Sequence, residues 1–138
     1  MNDFLFAVVE LNVERGGFRG DLPSGLWSLT KLEFLQLGFN KFSGGLSPDI
    51  GQLTNLRQLY LTSSGLDGEI PAAMGALEEL EVVHMQFNSL EGAMPEAVCE
   101  IPTLLELQAD CDKGGKVDCP CCTRCCSKKN RRCKDPKD

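Results

Sequence analysis

The sequence has 138 residues, 42% hydrophobic and 25% charged, a composition ordinary for one globular domain. The net charge of −6 is uneven: residues 1–112 carry 5 basic and 17 acidic side chains, whereas residues 113–138 carry 9 basic and 3 acidic ones. The acidic body excludes nucleic acid as the main partner, and no apolar run of about 18 residues is present to span a membrane.

The first six residues precede a regular pattern. Leu5 occupies the twenty-third place of a 24-residue unit that would begin before Met1. We interpret residues 1–6 as the remnant of a preceding repeat, and the chain as a piece of a longer one. Alternatively, Phe4, Leu5 and Phe6 fold over the open end as a cap, which solenoids normally need. The segment has no basic n-region and is not a convincing signal peptide.

Four 24-residue units follow without a gap, at 7–30, 31–54, 55–78 and 79–102. Glycine recurs at the fourteenth place of every unit, and apolar side chains recur at the fifth and seventh places. In the second to fourth units these apolar residues are Leu35 and Leu37, Leu59 and Leu61, and Val83 and Met85. The short alternation predicts a brief strand with every second side chain turned inward, and the fixed period predicts a stacked solenoid.

The first unit contains Arg19-Gly20-Asp21, the integrin-binding tripeptide. The repeat accounts for it without a binding role, because Gly20 is the glycine of the fourteenth place. We expect the triplet to lie along the side of the repeat, not at a mobile loop tip.

A fifth unit begins at 103–112 and then gives way to a basic, cysteine-rich segment, 113–138, which we interpret as a C-terminal cap. Eight cysteines permit 105 pairings; Cys99 and Cys111, in or just after repeats, are expected to tie the tail back. A zinc–thiolate cluster remains an alternative to disulfides. The basic stretch Lys128–Arg132 is interpreted as solvated against the acidic body, with a nuclear signal, a polyanion-binding patch or a processing site as alternatives. The candidate disulfide residues are Cys99, Cys111, Cys119, Cys121, Cys122, Cys125, Cys126 and Cys133.

The pattern L-x-x-L-x-L-x-x-N followed by L-x-G-x-[IL]-P resembles the leucine-rich repeat, specifically the 24-residue class common in plant receptor ectodomains and inhibitor proteins. Ser64 and Gly16 stand where the family places Asn, and Ser47 stands where it places Pro. The C-x-C-C-T-x-C-C ending resembles that of secreted leucine-rich repeat proteins of diatoms and related algae. The resemblance implies a right-handed, mostly β solenoid of the α/β type, with about five short parallel strands on its concave face, loops and 3₁₀ segments outside, and a disulfide-rich C-terminal cap.

The outward-facing strand positions line the concave face, the surface that solenoids use for binding. Asn40 and Asn88 are expected to bond backbone where the chain leaves each strand, and Phe39 and Phe87 to pack between neighbouring turns. The candidate ligand-binding residues are Phe34, Gln36, Gln58, Tyr60, Thr62, Val82, His84 and Gln86.

We expect a non-catalytic module that binds a protein, peptide or glycan, because His84 is the only histidine and no catalytic motif is present. No cofactor or metal is expected. The predicted location is extracellular or at the cell surface, as a monomer or as part of a longer chain. The alternatives are an enzyme inhibitor of the polygalacturonase-inhibiting type and a structural cell-wall or adhesive component.

Overall fold

The structure is a computed structural model that describes residues 7–137. The expected N-terminal remnant or cap, residues 1–6, lies outside the described residues. Short helical segments η1 (Ser24–Ser28), η2 (Pro48–Gln52), η3 (Ala72–Ala76) and α1 (Glu96–Cys99) alternate with strands. The strands are β1 (Glu10–Asn12), β2 (Arg19–Asp21), β3 (Phe34–Gln36), β4 (Lys41–Ser43), β5 (Gln58–Tyr60), β6 (Asp67–Glu69), β7 (Val82–His84), β8 (Ser89–Ala93), β9 (Glu106–Ala109), β10 (Val117–Asp118), β11 (Arg124–Ser127) and β12 (Arg132–Lys134).

The concave sheet has the strand order β1-β3-β5-β7-β9-β11-β12. Its first five strands are parallel, and each residue pairs with the residue 24 positions away, as in Leu35 with Leu59 and Leu59 with Val83. The predicted solenoid is therefore confirmed, because the sequence period is also the period of strand pairing.

The tail adds two strands that the sequence did not predict. We expected about five strands in this sheet, whereas β11 pairs in parallel with β9, and β12 pairs antiparallel to β11. The physical reason is that the last repeat strand would otherwise present a row of unpaired N–H and C=O groups. The tail thus continues the sheet as well as covering the core.

The core is a set of columns of stacked side chains. Leu35, Leu59, Val83 and Leu107 form one column, and each is 0% exposed. Their strand neighbours in β3, β5 and β7 face outward and are half-buried, as the pleat requires. Each leucine buried in this way contributes about 1.5–3 kcal/mol, so the columns are the main source of stability.

The outer part of each turn consists of short strands and helices. Strand β2 pairs with β4, and β10-β8-β6 form a second small sheet. Gly68 and Gly92, at the fourteenth place, have φ values of 78° and 88°, where a Cβ is disfavoured. Ser47, at a place where proline was expected, caps η2 by accepting a hydrogen bond from the Asp49 N–H at 3.1 Å. Among residues 7–137, no helix has the length and apolar character needed to cross a membrane.

Arg19-Gly20-Asp21 forms β2, which pairs with β4 along the side of the repeat. Asp21 accepts a hydrogen bond from the Ser43 hydroxyl at 2.8 Å. The triplet is therefore part of a strand ladder, as the repeat pattern indicated.

Buried asparagines connect consecutive turns. The Asn88 side chain accepts hydrogen bonds from the backbone N–H groups of Ser64 and Leu66, at 3.0 and 3.2 Å. Its amide group also donates to the Leu61 carbonyl at 2.8 Å. Asn40 makes equivalent contacts at an earlier turn. The expected role of both asparagines is therefore observed, and each satisfies buried backbone of the preceding turn.

Two other residues make similar contacts: Ser64, which stands at the asparagine place, and Asp110, which lies two residues before that place in the last repeat. Ser64 donates its hydroxyl to the carbonyls of Leu61 and Leu37, at 2.6 and 3.1 Å. At the last repeat, the two carboxylate oxygens of Asp110 accept the N–H groups of Phe87 and Asn88, at 2.9 and 3.0 Å. Burial raises the pKa of Asp110, although these two hydrogen bonds oppose the rise.

The predicted disulfide-rich C-terminal cap is present, with four bridges. Two of them, Cys99–Cys121 and Cys111–Cys125, join the repeats to the tail. The other two, Cys119–Cys122 and Cys126–Cys133, close short loops within the tail. Val117 and several of these cysteines are buried against the repeat core. The cap therefore replaces the missing next repeat and is covalently attached to the previous one.

Replacing Asn88 by Ala should lower the free energy of unfolding by about 3 kcal/mol, because several buried backbone groups lose their partner. Urea denaturation with the disulfides intact measures this change. Asn55 is the matched control: it is exposed and its side chain donates to the Thr30 carbonyl, so Asn55→Ala should cost less than about 1 kcal/mol. Equal losses in the two variants would contradict the role of the buried asparagine.

Candidate functional site

Three rings on neighbouring strands form a ladder across the concave sheet. The centroids of Phe34 and Tyr60 are 5.5 Å apart, and those of Tyr60 and His84 are 5.1 Å apart with the planes at 89°. These are the tilted and edge-to-face arrangements that aromatic rings prefer. We call Phe34, Tyr60 and His84 the ring ladder. Each ring is fixed by its neighbour and half-buried, so the ladder offers rigid apolar surface.

A carboxylate continues the ladder on the next strand. The His84 Nε2 lies 3.0 Å from Oε2 of Glu106, and the Gln108 amide donates to Oε1 of Glu106 at 3.1 Å. The pKa of Glu106 is lowered, chiefly by the hydrogen bond from His84. The Glu106 carboxylate at this end of the ladder is therefore ionised at neutral pH.

The polar groups beside the rings are also held in place. The Tyr60 hydroxyl donates to Oε1 of Gln58 at 2.9 Å, and Oε1 of Gln36 accepts the N–H of Gly38 at 2.7 Å. Burial, together with the charge of Glu106, raises the pKa of Tyr60, so the phenol remains a neutral donor. The concave face thus presents fixed amides around a rigid ring ladder.

The structure places most of the predicted ligand-binding residues together on this face. All but one are half-buried, a state that leaves part of each side chain in contact with solvent. These residues are Phe34, Gln36, Gln58, Tyr60, Thr62, Val82 and His84. Glu106, which our set of site residues omitted, could have been found from the repeat, because it pairs in register with Val82.

Gln86 does not lie open on this face, contrary to expectation. It is only 6% exposed, and its Oε1 is buried without a hydrogen-bond partner in the described part of the chain. The tail lies beside Gln86, since Arg131 donates to the Ser63 hydroxyl at 2.7 Å and lies over the ring of Phe87, the next residue in the chain, at 4.4 Å. Gln86 is therefore removed from the candidate ligand-binding set.

The same contacts show where the basic tail lies on the repeats. Lys128–Arg132 is exposed, as expected of a solvated stretch, and it lies against the repeats through Lys128 on Ser89 and Arg131 on Ser63. At the other end of the stack, Arg15 covers Phe39 in the same way, at 4.1 Å. Phe39 and Phe87 are thus contacted by arginines from other turns or from the tail, and these contacts fix the edge of the concave face.

The eight cysteine sulfurs are paired as disulfides and do not form an open thiolate cluster. Within residues 7–137, no group of three or more His, Cys, Asp or Glu side chains has the geometry of a metal site. The candidate site is therefore the concave face, with the ring ladder at its centre.

Comparison with known proteins agrees with this architecture. The Leucine Rich Repeat family model matches residues 31–53. The 24-residue period of this matched segment continues through the neighbouring units, so the chain is a leucine-rich repeat solenoid. Among curated protein sequences, none matches the chain significantly.

The solved structures that resemble it include plant receptor ectodomains. The plant peptide hormone receptor RGFR1, in complex with RGF2, is 31% identical over 73% of this chain and 16% of that chain, with a TM-score of 0.71. The GASSHO1/SCHENGEN3 ectodomain from Arabidopsis thaliana, in complex with CASPARIAN STRIP INTEGRITY FACTOR 2, is 35% identical over 67% of this chain and 11% of that chain, with a TM-score of 0.62. A chain of the BIR3–SERK2 complex from Arabidopsis thaliana is 25% identical over 80% of this chain and 57% of that chain, with a TM-score of 0.71. This chain therefore spans only part of each of these proteins.

Replacing His84 by Ala should raise the pKa of Glu106 toward its ordinary value, because the main hydrogen bond that lowers it is lost. A lowered carboxylate pKa stabilises the folded state above the ordinary pKa, and this contribution is lost as the pH falls through the folded-state pKa. The titration of the Glu106 carboxyl carbon by NMR measures the change. Thr62→Ala is the control and should leave the midpoint of the Glu106 titration unchanged. An unchanged midpoint in His84→Ala would refute the hydrogen bond between His84 and Glu106.

Proposed function

We propose that the chain is a non-catalytic recognition module that binds an extended peptide, or an exposed segment of a protein, through its concave face. The observation that carries the proposal is the ring ladder, which is partly exposed and flanked by fixed amides. Aromatic side chains supply much of the energy in protein interfaces because they bury a large area at a small cost in conformational entropy.

The rigidity of the face favours binding. Each ring packs against the next, and the Tyr60 hydroxyl and Glu106 are already hydrogen-bonded to their neighbours. A ligand therefore meets side chains that lose little further freedom, and this lowers the ordering cost of association. The rings favour apolar and aromatic ligand side chains.

Charge indicates the kind of peptide. Glu106 lies at one end of the ladder, and β1, with Glu10 exposed, lies at the other end of the repeat strands. These carboxylates favour a peptide with basic residues beside an apolar segment, since complementary charge promotes encounter and sets orientation. The similarity to the plant peptide hormone receptor RGFR1, solved in complex with RGF2, supports a peptide as the ligand.

We further propose that the module is secreted or lies at the cell surface. Four disulfides support this location, because such bridges persist in oxidising compartments and are rare in the cytosol. In the proposed organisation, residues 7–112 provide the binding face and residues 113–138 provide the cap.

Tyr60→Ala should weaken peptide binding by at least about tenfold, because it removes the central ring, which contacts both of its neighbours. The experiment selects peptides from a displayed library on the unaltered protein and then measures the Kd of the tightest peptide by calorimetry. The melting temperature is measured in parallel to establish that the variant is folded.

Phe18→Ala is the matched control, because Phe18 is an aromatic residue with 48% exposure that stacks on Phe42 and lies outside the ring ladder. It should leave the Kd unchanged. A peptide that binds Tyr60→Ala as tightly as the unaltered protein would remove the concave face as the binding site. Selection of no saturable peptide would contradict the proposed function and favour a structural role.

A further inference from the structure

A cavity lies where the last repeats meet the cap, and none of its lining residues belongs to the ring ladder. It has a volume of about 520 Å³ and is lined by Asp110 and by residues of three other segments. The segment at Asn88–Leu90 follows β7, the loop Lys113–Lys116 precedes β10, and Ser127–Lys129 lies at the end of β11. Pockets that bind small ligands have volumes of about 300–1,000 Å³, so this cavity has the size of a ligand site.

Four lysines are among the residues that line the cavity: Lys113 and Lys116 from one loop, and Lys128 and Lys129 from the other. The cavity contains a single carboxylate, that of Asp110, and its two oxygens are occupied by backbone N–H groups. Lys116 lies 3.8 Å from Glu91, an exposed pair of small energetic weight. Within residues 7–137, Lys113, Lys128 and Lys129 make no ion pair. The cavity is therefore positively charged on a protein whose repeats are acidic.

Both lysine-bearing loops are held in place. The N–H of Val117 donates to the Asp110 carbonyl at 3.2 Å, and the N–H of Gly92 donates to the Lys116 carbonyl at 2.9 Å, so the first loop is tied at its C-terminal end. A Cβ at Gly115 would collide with the Asp110 carbonyl, which shows how closely this loop approaches the last strand of the repeats. The second loop lies inside the Cys126–Cys133 bridge.

One of the four lysines is hydrogen-bonded to the opposite side of the cavity. The Lys128 Nζ donates to the Ser89 hydroxyl at 3.1 Å, and this contact joins the cap to the strand that follows β7. The ammonium group retains further hydrogen atoms for a ligand. The Ser89 and Ser127 hydroxyls supply additional polar groups at the same site.

We propose that this cavity, which we call the lysine pocket, binds a small phosphate or sulfate ester, for example of a sugar. Such an ester presents three terminal oxygens, and these can accept hydrogen bonds from several ammonium groups at once. A carboxylate has two oxygens and is best matched by the planar fork of arginine, which is missing from the lining. The volume leaves room for the group that carries the ester.

The test titrates the full chain with glucose 6-phosphate and glucose 6-sulfate at low ionic strength, and follows backbone amide shifts by NMR. Glucose and glucuronate serve as ligand controls. We expect saturable binding of at least one ester, with shift changes confined to residues of the lysine pocket. The ester that binds more tightly identifies the natural source as phosphate or sulfate.

The variant K113Q/K128Q removes one charge from each loop. Each substitution should weaken ester binding about tenfold or more, because it removes one charge-assisted hydrogen bond to the ester. The variant K31Q/K41Q removes the same total charge from exposed positions in the repeats and should bind as the unaltered protein does. If K113Q/K128Q has a lowered melting temperature, K116Q/K129Q takes its place. The proposal is overturned if neither ester binds, if the pocket variant binds as tightly as the control, or if glucuronate binds as tightly as the esters.

Discussion

Each 24-residue turn buries the apolar side chains of the turn before it, and the strands remain in register only because every turn has the same length. Leu35, Leu59, Val83 and Leu107 pair in sequence and are fully buried. The outward neighbours of these residues are consequently brought to the strand spacing of about 4.8 Å. The ring ladder depends on this constraint, because its three rings come from three different turns.

The last turn of a solenoid has no following turn to cover its core and its open strand edge. The cap covers both, with residues outside the repeat pattern. Strand β11 pairs with the open edge of β9, Asp110 accepts the backbone N–H groups of Phe87 and Asn88, and disulfides attach the tail. The cap also creates surface of its own. Two lysine-bearing loops meet the last repeats, and a positively charged cavity results on an otherwise acidic solenoid.

Sequence patterns predicted the solenoid, its columns and its concave residues because a period of 24 combined with an alternation of two determines which side chains share a column. Glu106 could also have been predicted as a concave residue, because it occupies the same place of the repeat as Val82. The tail was different. Eight cysteines allow many pairings, and no period indicates that Arg124–Ser127 continues the sheet. The lysine pocket could not be predicted, because it depends on where this irregular segment crosses the repeats.

The central claim is that residues 24 positions apart form one continuous interior. Methyl-to-methyl NOEs in the selectively labelled protein test it most directly. The structure predicts strong cross-peaks from Leu35 to Leu59, from Leu59 to Val83 and from Val83 to Leu107, all of which are buried neighbours in adjacent strands. A spectrum with methyl contacts within each unit, and with these three cross-peaks missing, would contradict the account of both the fold and the binding face.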